Sequence, residues 1–204
     1  MKADPRALGL VMLAILATSC AAPITHPVEL RDRGTAEAGR FAGVSVGLQP
    51  AVDRRGEADP GLVGYRQLRR GRERYATISM DLAEALTRAI SDRLGRMGAR
   101  VSPAAGWDLT PDAMPTAQSD ADHLVACEVI RFLCRAEKKA LGTRLQMDLE
   151  LVFYLGDRKD GRVVRRPVQV QIERFEAVFS PQKVEGLVNE ALAEALDRGF
   201  QNLG

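Results

Sequence analysis

The stretch LATSCAAP, residues 16–23, places Cys20 directly behind the small residues Ala17, Thr18 and Ser19. Upstream, residues 7–17 are apolar apart from Gly9, and a short head carries Lys2 and Arg6 against Asp4. About a dozen apolar residues fall short of the roughly 20 that a membrane-spanning helix needs. Length and polarity suit the hydrophobic region of a signal peptide, and Ala17-Thr18-Ser19 supplies a small-residue cleavage point. Ordinary secretory cleavage there leaves Cys20 as a free thiol.

With the cysteine included, the arrangement resembles the lipobox of bacterial lipoproteins. The resemblance implies a diacylglycerol thioether on Cys20, cleavage before it and acylation of the new amino terminus. No cofactor is expected beyond this covalent lipid. Several acyl chains anchor a protein stably where one is marginal. Ala21, rather than Asp, follows the cysteine. That resembles the Gram-negative sorting pattern for the outer membrane and implies its periplasmic face as the location.

A second stretch that can do chemistry is YRQLRRGRERY, residues 65–75. Arg66, Arg69, Arg70, Arg72 and Arg74 stand against a single Glu73, between Tyr65 and Tyr75. Guanidinium forks match phosphates and carboxylates. A long loop in a compact domain is either functional or disordered, so the choice lies between a solvated charged loop and a binding loop. For a lipid-tethered protein the available polyanions are phospholipid head groups, lipopolysaccharide phosphates and acidic envelope proteins.

Catalysis finds little support. Asp148 and Glu150 share the polar face of a strand with Arg144 and Gln146. Two carboxylates can do acid–base work, but a solvated sheet face accounts for them equally. His26 and His123 stand apart, without HExxH, CxxC, GxSxG or GxxxxGK[ST] motifs, and His123 has no candidate nucleophile beside it. Asp157 and Asp160 in GDRKDGR lack the acidic count and distal Glu of a calcium loop, so a hairpin turn explains them. Trp107 reads as a loop anchor, with ligand stacking as the alternative. Cys127 and Cys134 lie seven residues apart, roughly 23 Å along a strand, whereas a disulfide needs Cα atoms within about 7 Å. The odd spacing sends the two to opposite faces, which predicts separate packed thiols. No enzyme and no metal site is expected.

The elements that must position these groups follow from periodicity. Removing residues 1–19 as a signal peptide leaves 185 of the 204 residues, enough for one domain with a core. The net charge of +2 falls to +1 with the leader's Lys2, Arg6 and Asp4 gone, and a near-neutral chain gives no case for nucleic acid as a partner. Residues 20–40, rich in Pro, Gly, Thr and charge, read as the lipidated cysteine and a flexible tether with a reach of roughly 25 Å. Residues 41–204 read as a periplasmic domain. Val44, Val46 and Leu48 alternate as a strand. Residues 50–76 read as a long irregular region. Residues 77–97 carry a helical stripe through Leu82, Leu86, Ile90 and Leu94, with Thr77 or Ser79 as cap and Gly98 as stop. A short strand over 99–102 and an irregular stretch over 103–121 follow. Residues 123–134, 144–155 and 168–172 predict three long strands, with a bulge near 173–175. Ser180-Pro181 opens a second amphipathic helix. The expected fold is α+β, a mostly antiparallel sheet with two helices on one face, in the order β-α-β-β-β-β-α.

The sequence VSVGLQPAVDRRG, then GLVG (residues 61–64), then a helix ending in glycine, a meander and a closing helix, is similar to the YajG-type family of small Gram-negative lipoproteins over residues 41–202. The resemblance implies a fold and a location, for a family without a settled activity. The expectation is a non-catalytic, lipid-anchored envelope protein whose domain binds or assists another envelope protein, or contacts anionic lipid or lipopolysaccharide. The alternative is an auxiliary lipoprotein of a lipid or lipopolysaccharide ABC transport system, which needs an apolar groove or a stable complex with a transporter.

Overall fold

The computed structural model describes residues 24–35, 38–69, 71–77 and 80–201. Cys20 and Arg70 lie outside the described residues, as do the leader, Ser79 and residues 202–204. The chain forms β1 (Thr25–Pro27), β2 (Ser45–Leu48), β3 (Val52–Asp53), β4 (Leu62–Gln67), β5 (Arg72–Ala76), α1 (Leu82–Arg96), β6 (Arg100–Pro103), a 3-10 turn at Met114–Thr116, β7 (His123–Lys139), β8 (Gly142–Asp157), β9 (Arg162–Glu176) and α2 (Pro181–Phe200). The strands make one nine-stranded sheet.

Its spine is the antiparallel meander β7–β8–β9, paired along almost its whole length from His123↔Asp157 to Lys139↔Gly142 and from Thr143↔Glu176 to Asp157↔Arg162. This is the meander that alternation predicted. The rest of the sheet is not antiparallel. Three short strands line up end to end along the other edge of β7, all parallel to it: β2 at its start, β3 in the middle and β4 near its end. β6 extends the sheet from β2 in parallel, β5 pairs antiparallel with β4, and β1 pairs parallel with β5. The sheet is therefore mixed, and five strands precede the first helix instead of one. Strands of two to six residues carry too few alternations to stand out, and their pairing with β7 is nonlocal.

Both helices bury their stripes in one core with the odd-numbered residues Leu145 to Leu155 of β8 and with Val168 and Val170 of β9. Asp81 caps α1, its carboxylate accepting the Glu84 amide hydrogen at 2.7 Å. Thr77 instead donates to the carbonyls of Gly61 and Met80. Gly98, at φ 95°, ends the helix as expected. Ser180 and Pro181 open α2 as read.

The predicted bulge near 173–175 is absent, since β9 keeps unbroken register with β8. The bulge lies in β7, between Val129 and Arg131. Before it, the odd residues Val125, Cys127 and Val129 face the helices; after it, the even residues Phe132, Cys134 and Ala136 do. One extra residue shifts the pleat by one. Cys127 and Cys134 therefore face the same core, not opposite faces, and both are free and buried.

Residues 24–35, expected as free tether, lie against the domain. Beyond β1, Val28 is buried, and the Arg31 amide donates to Asn189 Oδ1 at 2.9 Å while Asn189 Nδ2 donates to the Glu29 carbonyl. Arg93, 2% exposed, binds Asp32 and Asp197 and holds this segment between the two helices.

Candidate functional site

The arginine-rich stretch is not a loop. It is the hairpin β4–β5, with Tyr65↔Arg74, Arg66↔Glu73 and Gln67↔Arg72 opposed. Alternation splits the arginines between two faces. On the helix side, Arg66 pairs with Glu73 at 3.5 Å and lies over the Phe179 ring, 3.9 Å from its centroid. On the outer side, Arg72 stacks on Tyr65 at 4.3 Å and Arg74 pairs with Asp59. Arg69 is exposed at the turn. The four described arginines are thus not one free cationic cluster: Arg66 and Arg74 are spent on carboxylates of the domain itself.

The fold brings the hairpin's outer side beside the polar sheet face that the sequence marked separately. β4 pairs with β7, placing Tyr65 beside Arg135 and Gln67 beside Glu137. β7 in turn places Arg135 beside Gln146 and Glu137 beside Arg144. Together Tyr65, Gln67, Arg72, Arg135, Arg144 and Gln146 line a shallow depression of about 340 Å³. Asp148 is nearly buried at its edge and pairs with Arg135 at 2.5 Å. Glu150 lies opposite Arg131. These two carboxylates therefore have different environments, one neutralised by a guanidinium and one on the open face. β9 continues the surface with exposed Gln169, Gln171, Glu173 and Phe175.

The other half of the same face is covered. Trp107 and Met114 pack with Leu124, Ala126 and Tyr154 into a second small core. Trp107 donates its indole N–H to the Thr110 carbonyl at 2.9 Å. It is the loop anchor expected from sequence. Gly156 makes room for it, because a side chain there would run into Met114 and Trp107.

At this covered end, on the helix side, lies an apolar pocket of about 310 Å³ that sequence reasoning missed. Phe41, Val44, Val46, Leu94, Leu155 and Val164 line it, with Asp157, Asp160 and Arg162 at the rim. His123 stands there too, its Nδ1 3.9 Å from Asp157 Oδ2. Its apolar walls come from five elements, β7 included through Leu124 and Val125, and from the 41–44 turn, so only the tertiary fold assembles it. Among the described residues, no group of three or more His, Cys, Asp and Glu is placed to hold a metal, and no helix is long and apolar enough to cross a membrane.

Two charged groups that shape the site were also missed. Arg55, its side chain only 4% exposed, pairs with Asp53 at 2.7 Å and donates to the carbonyls of Leu62 at 2.5 Å and Phe132 at 3.2 Å. It fills the gap where β3 stops and β4 has not begun, satisfying carbonyls beside the bulge. Burial works to raise the Asp53 pKa, and the bonds from Arg55 outweigh it, leaving the carboxyl below its ordinary value. The run VDRRG was visible, but not which arginine would turn inward. Arg93 occupies a stripe position of α1, three residues after Ile90, and that spacing was the available signal.

No protein-family model and no curated protein matches this chain in sequence. Solved structures match it in fold. A protein of family DUF330 from Xanthomonas campestris superposes with a TM-score of 0.53 at 12% identity, covering 84% of this chain and 90% of that one. An uncharacterised protein superposes at 0.54 and 10% identity, covering 89% and 99%. A lipoprotein from Neisseria meningitidis reaches 0.42 at 11% identity, covering 74% and 96%, too slight a likeness to carry an argument. The likeness shows the fold alone.

Proposed function

We propose that the protein is a lipid-anchored, non-catalytic envelope protein of the YajG-like type, its domain a binding module for another envelope protein. Cys20 carries the anchor and the outer membrane is its location. The observation behind the module is the asymmetry of the outer sheet face. The Trp107 loop covers one half, while the half bearing Tyr65, Arg72, Arg144, Gln146 and Gln171 is left bare. A mixed aromatic, arginine and glutamine surface suits a protein partner, whose carboxylates the guanidinium forks would take. Acid–base chemistry has no part in the reading, because Asp148 is tied to Arg135.

A photo-crosslinking residue at Gln146 or Gln171, introduced in cells, tests it. One envelope protein should be captured from both positions and not from Lys159 at the far turn. The paired reversals Arg72→Glu and Arg144→Glu should abolish capture. Equal capture from Lys159, or capture indifferent to the reversals, would count against the face.

A second reading, an auxiliary lipoprotein of a lipid transport system, is favoured by the apolar pocket lined by Phe41, Val46 and Leu155. Its volume sits at the low end of ligand sites, about 300 Å³ upward. Native mass spectrometry of protein extracted from membranes would show a bound lipid, displaced by Val46→Trp, if this reading holds.

A further inference from the structure

The register assembles one end of the molecule from four pieces of chain. β4 ends beside Glu137, so the 68–71 turn neighbours the β7–β8 turn at residues 140–141. Thr143 opposes Glu176, which brings residues 177–178 to the same place. β1 runs parallel to β5, with Thr25 beside Arg74 and the Ile24 carbonyl accepting the Arg74 amide hydrogen. Followed backwards from Thr25, the chain therefore heads toward this same end.

Of the five large exposed apolar residues among the described residues, four lie here: Leu141 at 85% exposed, Val178 at 74%, Ile24 at 60% and Phe175 at 55%. Scattered singly they would need no explanation, but gathered at one end they mark an interaction surface. Exposed Arg69 and Lys138 flank them, and neither pairs with a carboxylate among the described residues. Lys139, beside Lys138, pairs with Glu137 at 2.5 Å. Apolar tips between cations fit the boundary between acyl chains and anionic head groups.

We propose that this end, with Leu141 and Val178 at its tip and Arg69 and Lys138 around them, seats in the surface of an anionic lipid membrane. The proposal rests on the reading of Cys20 as the lipid anchor, and chain length gives it force. Four residue steps separate Cys20 from Ile24, at most about 14 Å fully extended. With residues 24–35 docked, an anchored domain has no long leash. The end that carries Ile24 is the one held at the bilayer, and the apolar residues found there are the ones a bilayer would cover. The opposite end, with the β8–β9 turn and the apolar pocket, points away.

Fluorescence in vesicles tests this. Leu141→Trp and, as the far-end control, Lys159→Trp are each introduced into the full acylated chain, with buried Trp107 left as a constant background. The variants are reconstituted into vesicles of phosphatidylethanolamine and phosphatidylglycerol carrying brominated acyl chains. Leu141→Trp should gain blue-shifted emission and lose most of it to bromine quenching, while Lys159→Trp keeps its emission. Intact mass of the mature chain reports acylation separately. An acylated chain with both positions unquenched, or both quenched alike, overturns the seating and leaves the anchor standing. A chain without lipid overturns both, since the short leash that turns this end to the bilayer is then missing.

Discussion

Arg93 shows how much one side chain can carry. Burial works to lower its pKa, and bonds to Asp32 and Asp197 outweigh it, so the guanidinium is held above its ordinary value. Truncating one member of a buried charged pair leaves the other unpaired, at a cost of about 3–5 kcal/mol. Arg93→Ala removes one of two guanidinium partners of the Asp32 carboxylate, whose side chain is 0% exposed, and leaves it Arg96 and the Gly34 amide, so the urea unfolding free energy should fall by less than that, about 1–3 kcal/mol. Hydrogen exchange should also accelerate over residues 28–35, which Arg93 pins. The two cysteines give a second expectation at this scale. Burial raises both thiol pKa values, that of Cys134 from 9.0 to about 12. A group that binds its proton more tightly when folded favours the folded state below its ordinary pKa, and that advantage fades as pH rises through the folded value. Stability should therefore begin to fall above about pH 9. Neither thiol should react with a maleimide until the chain unfolds, and the mass of the native protein should show no disulfide.

The elements that sequence made visible were those with a local signal. α1 and α2 announce themselves by stripes, with Gly98 closing the first and Pro181 opening the second, although Asp81 and not Thr77 caps α1, and β7, β8 and β9 by long alternation. What stayed hidden was set by distant partners. β3, β4 and β5 are short and lie in a stretch that reads as loop. The β7 bulge cannot be told from a simple break in alternation until its partner strand fixes the register. The same separation explains the site: the two polar surfaces were readable one by one, but only β4 pairing with β7 joins them. Two changes test these elements. Deleting Ile130 removes the extra residue and leaves Phe132, Cys134 and Ala136 facing the core opposite the same β8 partners, so the variant should still accumulate in soluble form. Gly64→Ala, in the GLVG run, presses a methyl group into the Cys134 carbonyl where β4 meets β7. Overpacking of this kind costs about 1–3 kcal/mol, to be read as a lowered denaturant midpoint with an unchanged slope.

At the scale of the molecule, β7 alone runs about 50 Å at the usual rise per residue, so the bare polar face and the apolar pocket belong to different ends of a long body. The docked amino-terminal segment belongs to that body and is not an appendage. Starting the chain at residue 36 would remove β1, buried Val28 and the Asp32 partner of Arg93. Such a chain should melt well below the full-length one, whereas a chain starting at residue 24 should melt with it.

That docked segment also has a mechanical consequence. A tension applied through Cys20 enters the domain along the length of β1. Because β1 lies parallel to β5 and is pulled from its own leading end, its ladder bonds are loaded together, in shear, and cannot be peeled one at a time. Behind that ladder stand the Asn189 bonds and the Arg93–Asp32 clamp, which take the strain next. A protein fastened in this way resists being drawn off its mooring lengthwise far better than it would resist a sideways tug on the same strand.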